Sequence, residues 1–433
     1  MEKLYFLLLV LFVTNKSTNA QTLYFPPNTG NTWDTIAPSS LNWCQDSIDA
    51  LYQYLDTSLT DAFIVLKDGK IVLEKYFGNY TADSLHVWYS AGKSLRATLV
   101  GIAQKDGLLN INDKTSDYLG TGFTSLAIPQ EDNITIWHQL TMTTGLDENN
   151  FSCTSPSCLT YVADAGTRWA YHNSPYNLLE NVLTTASGQG LTVYTNQKIK
   201  NKIGMSSGFW FPFGDNNFYF SKARDMARFG LLTLNKGMWG STVVLDDSLY
   251  YYQMLNSSQN INPAYGYLWW LNGKSSFIAP GSTTSYPFAI APNSPADMFT
   301  AAGSQGQYIS ISPNQNMVVI RQGEANVNDL ASFALLDNVW FKLMNMSCGT
   351  TNINSFDVDK INIYPNPANN MLYIKGLKQT NGEIIITLTD VTGKIVKTVK
   401  NQVELQLNNL EKGIYFLSIT GNNFKKVEKI VLQ

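Results

Sequence analysis

The chain has 433 residues, of which 44% are hydrophobic and 12% aromatic. This composition supports a large packed core and excludes an intrinsically disordered chain, and the length favours two domains. The net charge of −3 is unevenly placed, because residues 360–433 carry ten Lys against five acidic residues and residues 1–359 are therefore acidic. An acidic body without a basic, aromatic-rich stripe predicts no nucleic-acid partner.

The first twenty residues have the order of a targeting segment. Glu2 and Lys3 precede an apolar run over residues 4–13, and small and polar residues ending at Ala20 follow it. This order predicts a cleavable signal peptide over residues 1–20. The apolar run is about half of the roughly 20 residues that a bilayer requires, so we expect an exported protein with no membrane span.

Four cysteines suit an exported protein, since an even number permits two disulfides. Cys153 and Cys158 flank Thr-Ser-Pro-Ser, a turn-rich spacer that suits a small closed loop, and Cys44 and Cys348 remain. The count alone leaves three connectivities open. A zinc site is disfavoured, because no His lies at ligand spacing from these cysteines.

The predicted elements begin with an amphipathic helix over residues 41–55, where apolar residues recur at helical spacing. Two β-rich runs follow at residues 62–69 and 70–78, and the Asp-Gly turn between them predicts a hairpin. A helical stretch runs from about residue 91 to residue 105. Residues 134–235 are mostly helical in pattern.

Strand-like runs return further along the chain, at residues 264–273, 299–313 and 316–323, and a helix over residues 330–344 closes the body. This order predicts an α/β (α+β) fold, an antiparallel sheet flanked by helices with a helical subdomain. Residues 349–358 are polar and small, which predicts a linker. Residues 359–433 contain about six short alternating strands, which predict a small β-sandwich.

The domain boundaries follow from these patterns. We predict a signal peptide at 1–20, a large N-terminal domain at 21–348, a linker at 349–358 and a C-terminal sandwich at 359–433.

Ser90 and Lys93 are the strongest candidates for chemistry. Residues three apart share one face of a helix, so the hydroxyl and the amine are expected to meet. The helix N-terminus favours negative charge on a nucleophile, and burial keeps a lysine amine neutral and usable as a base. The spacing alone is weak, because Ser and Lys are common residues, and an N-capping Ser before a surface Lys is the alternative.

Further stretches add specificity. Tyr171 and Asn173 precede a Leu-rich helix. Four informative stretches follow one another along the chain, at residues 88–107, 134–148, 169–191 and 221–240. Together they resemble the class C β-lactamase-like serine hydrolases over residues 40–345, a family that includes β-lactamases, DD-peptidases, esterases and 6-aminohexanoate-dimer hydrolases. The resemblance implies a penicillin-binding-protein-like fold.

The resemblance also assigns site residues. The family's Ser-x-x-Lys motif corresponds to Ser90 and Lys93, and its Tyr-x-Asn motif to Tyr171 and Asn173. It implies that Ser90 is the nucleophile, Lys93 the base and Tyr171 the proton donor, while Asn173 orients Lys93 and the substrate. No metal or organic cofactor is implied. Because the family packs the first and last helices of the body together, we expect a Cys44–Cys348 disulfide beside Cys153–Cys158.

The family's third motif is incomplete here. Its best match is Ala301-Ala302-Gly303, followed by Ser304, and the usual cation that meets a substrate carboxylate is absent. Gly303 still permits close backbone approach, so the strand near Ser304 is expected to supply an oxyanion N–H. This departure favours esters or small amides over β-lactams and D-Ala-D-Ala peptides. The expected partner is a small-molecule ester, amide or peptide substrate. A β-lactamase or DD-peptidase is the alternative, and a non-catalytic ligand-binding relative is a second one.

A Ser-His-Asp triad is the rival chemistry. The chain has three histidines, His86, His138 and His172, and each fits a structural role better. No Gly-x-Ser-x-Gly elbow surrounds Ser90.

The C-terminal stretches 364–376, 390–394 and 413–419 resemble the sorting domains of the type IX secretion route. This resemblance implies the type IX secretion machinery as a partner and passage through the periplasm to the cell surface or the medium. A carbohydrate-binding or adhesive sandwich is the alternative, although no aromatic platform for sugars is visible.

Overall fold

The computed structural model describes residues 23–325, 331–348, 361–377, 384–421 and 424–433. The chain divides into two compact units, Met1–Cys348 and Gly349–Gln433. The predicted signal peptide at 1–20 and the predicted linker at 349–358 lie outside the described residues.

The first unit contains both helices and strands. Its helices are α1 Gln45–Thr57, α2 Gly92–Lys105, α3 Ser116–Leu119, α4 Ile128–Glu131, α5 Ile136–Thr141, α6 Asn173–Ser187, α7 Leu191–Thr195, α8 Asn201–Ile203, α9 Ala223–Leu234, α10 Ser248–Met254 and α11 Phe333–Met344. Its strands are β1 Thr60–Lys67, β2 Lys70–Tyr76, β3 His86–Val87, β4 Phe209–Phe213, β5 Asn216–Ser221, β6 Met238–Trp239, β7 Thr242–Val243, β8 Trp270–Leu271, β9 Phe277–Ile278, β10 Ser285–Tyr286, β11 Phe299–Gly303, β12 Gln307–Ser312 and β13 Met317–Gly323.

The main sheet has six antiparallel strands in the order β2-β1-β13-β12-β11-β8. The predicted hairpin at its edge is present, and Asp68 and Gly69 both have positive φ, which a tight hairpin turn of this type requires. The sequence predicts one strand-like run over residues 299–313, but the structure has two strands there. They form the hairpin β11–β12, because Gln305 between the strands adopts φ 61°.

The sheet is covered by helices on both faces. A β-carbon on Gly230 of α9 would lie 2.5 Å from Val318 and 3.1 Å from Ile309, so α9 packs directly on β12 and β13. The next residue of β12, Ser310, accepts a hydrogen bond from Trp340 of α11 at 2.8 Å. Because successive strand residues point to opposite faces, α9 and α11 lie on opposite sides of the sheet. This confirms the predicted sheet flanked by helices.

Two disulfides join the four cysteines as predicted. Cys44, the residue before α1, is bonded to Cys348, and Cys153 is bonded to Cys158. Helices α1 and α11 pack against each other beside the first of these bonds.

Helix α2 lies between the sheet and the helical subdomain. It contacts β11 on the sheet side and α6 in the subdomain, and its residues from Gly92 to Ala103 are buried. Because α2 is buried on all sides, its start and the preceding Ser90 lie where the sheet meets the helical subdomain.

The second unit is a β-structure. Its strands are β14 Asn362–Tyr364, β15 Met371–Lys375, β16 Ile385–Asp390, β17 Ile395–Lys400, β18 Glu404–Gln406, β19 Gly413–Gly421 and β20 Phe424–Leu432. They form sheets in the orders β14-β15-β18 and β17-β16-β19-β20. Residues of both sheets share one core, including Leu372 from the first and Leu388 from the second, as expected for a sandwich. Among the described helices of the chain, none is long and apolar enough to cross a membrane.

Candidate active site

Ser90 lies in a single 3-10 turn, Tyr89–Ala91, that leads directly into α2. The preceding residue, Tyr89, has φ 46°, a left-handed conformation that bulky residues rarely adopt and that is enriched at functional sites. The side chain of Ser90 is half-buried. The backbone therefore presents a serine hydroxyl at the N-terminal end of a buried helix.

Lys93 lies one turn further along α2, and its Nζ donates a hydrogen bond to Ser90 Oγ at 3.0 Å. Its side chain is buried, with 2% exposed. Burial lowers the pKa of the Lys93 amine well below its ordinary value, and the neighbouring Arg96 guanidinium lowers this pKa further. A neutral amine in contact with a hydroxyl is able to accept its proton.

Two tyrosines and an arginine surround the amine. Lys93 Nζ lies 4.4 Å from the centroid of the Tyr176 ring and 5.0 Å from that of Tyr171. Arg96 lies on the same helix at 4.3 Å from the Tyr176 ring and donates to the Tyr176 carbonyl at 3.2 Å. The sequence reading missed Tyr176 and Arg96, because an aromatic residue and an i+3 arginine on a predicted helix carry no signal beyond packing.

Tyr171 also lies close enough to Ser90 for the two hydroxyls to interact. Burial raises the pKa of Tyr171 above its ordinary value, so the phenol stays protonated near neutral pH. Its ring stacks between Phe151 and Trp270, with centroid distances of 6.3 and 6.0 Å. The structure therefore brings Ser90, Lys93 and Tyr171 together.

Asn173 begins α6, two residues after Tyr171. Its Nδ2 donates to Asn216 Oδ1 at 3.2 Å, and its buried Oδ1 has no hydrogen-bond partner among the described residues. The predicted contact with Lys93 is not formed. The free carbonyl oxygen is a hydrogen-bond acceptor near the cluster, and Asn216 is a neighbour that sequence reasoning missed.

Gly303 ends β11, where the sheet meets the turn that holds Ser90. A β-carbon at Gly303 would lie 2.3 Å from the Trp88 carbonyl oxygen and 3.1 Å from the Ala91 nitrogen. Only glycine therefore permits this approach of strand and turn. Ser304 follows at the start of a 3-10 turn and is half-buried.

The histidines serve other contacts. His86 Nε2 lies 3.2 Å from Asp61 Oδ2. His138 Nδ1 accepts from the Thr135 amide in the cap of α5. The buried ring nitrogens of His172 have no partner in the part of the chain that is described, and none of these contacts involves Ser90.

Comparison with known proteins places this geometry in a family. The sequence profile of the Beta-lactamase family matches residues 48–327, and that of the secretion system C-terminal sorting domain matches residues 362–433. Over 306 residues the chain is 24% identical to an uncharacterized protein of Alkalihalophilus pseudofirmus, covering 62% of this chain and 84% of that protein.

Two further matches carry a name. The chain is 29% identical over 143 residues to the 6-aminohexanoate-dimer hydrolase of Paenarthrobacter ureafaciens, which covers 33% of this chain and 35% of that hydrolase. A solved Bacillus anthracis structure, assigned as a 6-aminohexanoate-dimer hydrolase, superposes with a TM-score of 0.57 at 17% identity, covering 74% of this chain and 88% of that one. The Beta-lactamase profile spans more than half of the chain and the fold agrees with it, so this protein belongs to the beta-lactamase family of serine hydrolases and carries a secretion sorting domain.

Proposed function

We propose that this protein is an exported hydrolase that cleaves esters or small amides through an acyl-enzyme on Ser90. The observation that carries the proposal is the 3.0 Å hydrogen bond from Lys93 Nζ to Ser90 Oγ, made by an amine whose pKa burial has lowered. A Ser-Lys pair of this kind activates a hydroxyl without a histidine.

Acylation requires two proton transfers, one from the attacking hydroxyl and one to the leaving group. Lys93 takes the proton of Ser90 Oγ as that oxygen attacks the substrate carbonyl. Tyr171, which is protonated and lies beside Ser90, gives its proton to the leaving oxygen or nitrogen as the carbonyl bond to it breaks. The Lys93 proton then returns to Tyr171. Water attacks the acyl-enzyme by the reverse transfers, which releases the acid and restores Ser90.

The oxyanion of the tetrahedral intermediate needs two N–H donors. We assign them to the backbone of Ser90 and of Ser304, because the end of β11 touches the Ser90 turn at Gly303. The free Oδ1 of Asn173 is assigned to a substrate N–H or to Lys93 in its charged form.

The substrate class follows from charge. Residues Phe299–Gly303 contain no Lys or Arg, so this strand beside the Ser90 turn offers no cation to a substrate carboxylate. This feature favours neutral esters and amides over β-lactams and peptidoglycan peptides, and the named relative hydrolyses an amide dimer.

We assign the export of the protein to its second unit. Its match to the secretion sorting domain supports export by the type IX secretion machinery to the cell surface or the medium.

The proposal is tested by labelling and turnover. A fluorophosphonate should modify Ser90 and no other residue, as mapped by peptide mass spectrometry, and Ser90→Ala should abolish both labelling and turnover. Lys93→Met and Tyr171→Phe should each lower kcat by roughly 10² to 10⁴. Label on another residue, or near wild-type kcat in either variant, contradicts the mechanism.

The substrate class needs a second assay. Purified protein should hydrolyse p-nitrophenyl acetate and linear amide dimers faster than a chromogenic cephalosporin. Preference for the cephalosporin would assign a β-lactamase instead, and binding without turnover would assign a ligand receptor.

A further inference from the structure

The hairpin β4–β5 carries a row of phenylalanines on one face. In the antiparallel register Phe209 is opposite Phe220, and Phe211 is opposite Phe218. Because alternate residues of a strand share a face, these four lie together with Phe213. We call this set, Phe209, Phe211, Phe213, Phe218 and Phe220, the phenylalanine face.

The opposite face of the hairpin is already used for packing. Trp210 and Tyr219 are buried, with Trp210 against Arg96 of α2 at 4.7 Å and Tyr219 against Trp88 at 4.9 Å. The phenylalanine face therefore points away from the core. Phe211 is 52% exposed and Phe213 is 71% exposed, and a contiguous exposed aromatic patch of this kind marks a binding surface.

The middle of the phenylalanine face touches the turn that holds Ser90. The ring of Phe218 lies 5.6 Å from that of Tyr89, the residue before Ser90. Asn216, on the same side of β5 as Phe218, accepts the hydrogen bond from Asn173. The apolar surface thus passes beside the nucleophile turn and continues along the hairpin to Phe209 and Phe220 on one side and to Phe213 on the other.

The charge around the phenylalanine face limits which kind of ligand is expected to bind there. Residues 204–221 contain no Lys or Arg, and the turn of the hairpin contains Asp215. A surface that lies on anionic lipid would be expected to carry basic residues. A neutral hydrocarbon chain held in line with Ser90 fits an uncharged aromatic strip.

We propose that the phenylalanine face binds the apolar chain of the substrate, so that the enzyme prefers esters or amides with a medium-length hydrocarbon group. This inference rests on the proposed hydrolase function and narrows its substrate class. Each methylene that the face covers favours binding, so specificity should rise with chain length.

The test compares two chain lengths. We expect kcat/KM for p-nitrophenyl hexanoate to exceed that for the acetate by about tenfold, which is what partial burial of four methylenes provides. In the Phe209→Ser/Phe211→Ser variant this ratio should fall to near one. The same comparison is made with ethyl and hexyl acetate, so that a chain on the alcohol side is also detected.

Phe341 supplies the matched control, since it is 49% exposed on α11, and Phe341→Ser should keep the wild-type ratio. Unchanged ratios in the double variant, in both ester series, overturn the proposal. So does an equal fall in Phe341→Ser.

A second readout is independent of turnover. Equilibrium dialysis of p-nitrophenyl hexyl ether, which the enzyme cannot hydrolyse, should show binding to wild type and about tenfold weaker binding to the double variant. If no ester or amide is turned over, the proposed function fails and this measurement alone decides the site. Flotation with neutral phospholipid vesicles that is lost in the double variant, together with unchanged dialysis, would assign a membrane surface and overturn the proposal.

Discussion

Lys93 is held as a base by its surroundings rather than by an acidic partner. Its amine has Ser90 Oγ as hydrogen-bond partner, two tyrosine rings beside it and the Arg96 guanidinium further along the same helix. Burial and the Arg96 guanidinium lower the pKa of this amine, whereas the two aromatic rings would favour its charged form. The amine therefore pairs a lowered pKa with contact to the nucleophile.

The pH dependence of activity follows from this environment. Because Lys93 must be neutral to act and its folded pKa is lowered, kcat/KM should rise with pH through that pKa and then remain level, since the pKa of Tyr171 is raised. Arg96→Gln removes a positive neighbour, so the acidic limb should move to higher pH. Arg96→Lys keeps the charge and is the control. If the acidic limb of the kcat/KM profile does not move in Arg96→Gln, the assignment of Lys93 as the base is contradicted.

Gly303 is the second residue with a sharp expectation. A single added methyl group would lie 2.3 Å from the Trp88 carbonyl, so Gly303→Ala must separate β11 from the Ser90 turn. We expect kcat to fall about 10²-fold, the usual effect of a displacement near 1 Å. Gly190→Ala is the matched control, because nothing lies within 4 Å of its added carbon. Equal kcat in the two variants would show that the approach of β11 is not needed for turnover.

The site was predictable where it is local in sequence. Ser90 and Lys93 share a helix start and Tyr171 and Asn173 share a short motif, and the resemblance to the family singled out both pairs. Tyr176 and Arg96 act through a contact between α2 and α6 that no local pattern encodes. The position of Asn173 also depends on tertiary contact, since its amide is held by Asn216 of β5.

At the scale of elements, the two residues that lead into the Cys153–Cys158 loop support the site. Phe151 stacks on Tyr171, and its carbonyl accepts hydrogen bonds from the amides of Asn173 and Ser174 at 3.0 and 3.2 Å. The hydroxyl of Ser152 accepts from Asn216 at 3.2 Å. The segment that the disulfide follows directly therefore touches the ring of Tyr171 and the first turn of α6.

Loss of this disulfide should affect activity more than folding. In Cys153→Ser/Cys158→Ser we expect kcat to fall roughly tenfold, because Tyr171 loses a positioned neighbour, with a small change in Tm. Cys44→Ser/Cys348→Ser is the matched pair and should lower the free energy of unfolding by about 2–5 kcal/mol while keeping kcat at low temperature. Both are measured by thermal melts and initial rates. The reverse pattern would place the supporting role in the longer bridge.

Helices and strands were predictable when the sequence pattern that specifies them is local. The hairpin β1–β2 follows from Asp68-Gly69 between two β-rich runs. Residues 264–273 also read as a strand, but only Trp270–Leu271 joins the sheet. The aromatic content that raised the strand signal is used for packing instead, as the 4.7 Å contact between the Tyr265 and Trp270 rings shows.

At the scale of the whole molecule, the two units should be separable. Every residue assigned to chemistry lies in Met1–Cys348, and each unit has its own hydrophobic core. Removal of residues 349–433 should leave kcat unchanged and stop export past the outer membrane, as measured by activity in the periplasm and in the medium. A folded but inactive truncation would make the second unit part of the site. Activity outside the cell would contradict the sorting assignment.

The Cys44–Cys348 bond has a mechanical consequence. It joins residues 304 apart in sequence, with their Cα atoms 4.9 Å apart, so the chain between them is a closed covalent ring. Tension that arrives from the sorting unit at residue 349 passes through Cys348 to Cys44 and on to the preceding segment. The load bypasses the strands and helices of the ring. A pull applied across the two ends of this ring is therefore borne by the covalent bond and not by the hydrogen bonds between its strands and helices.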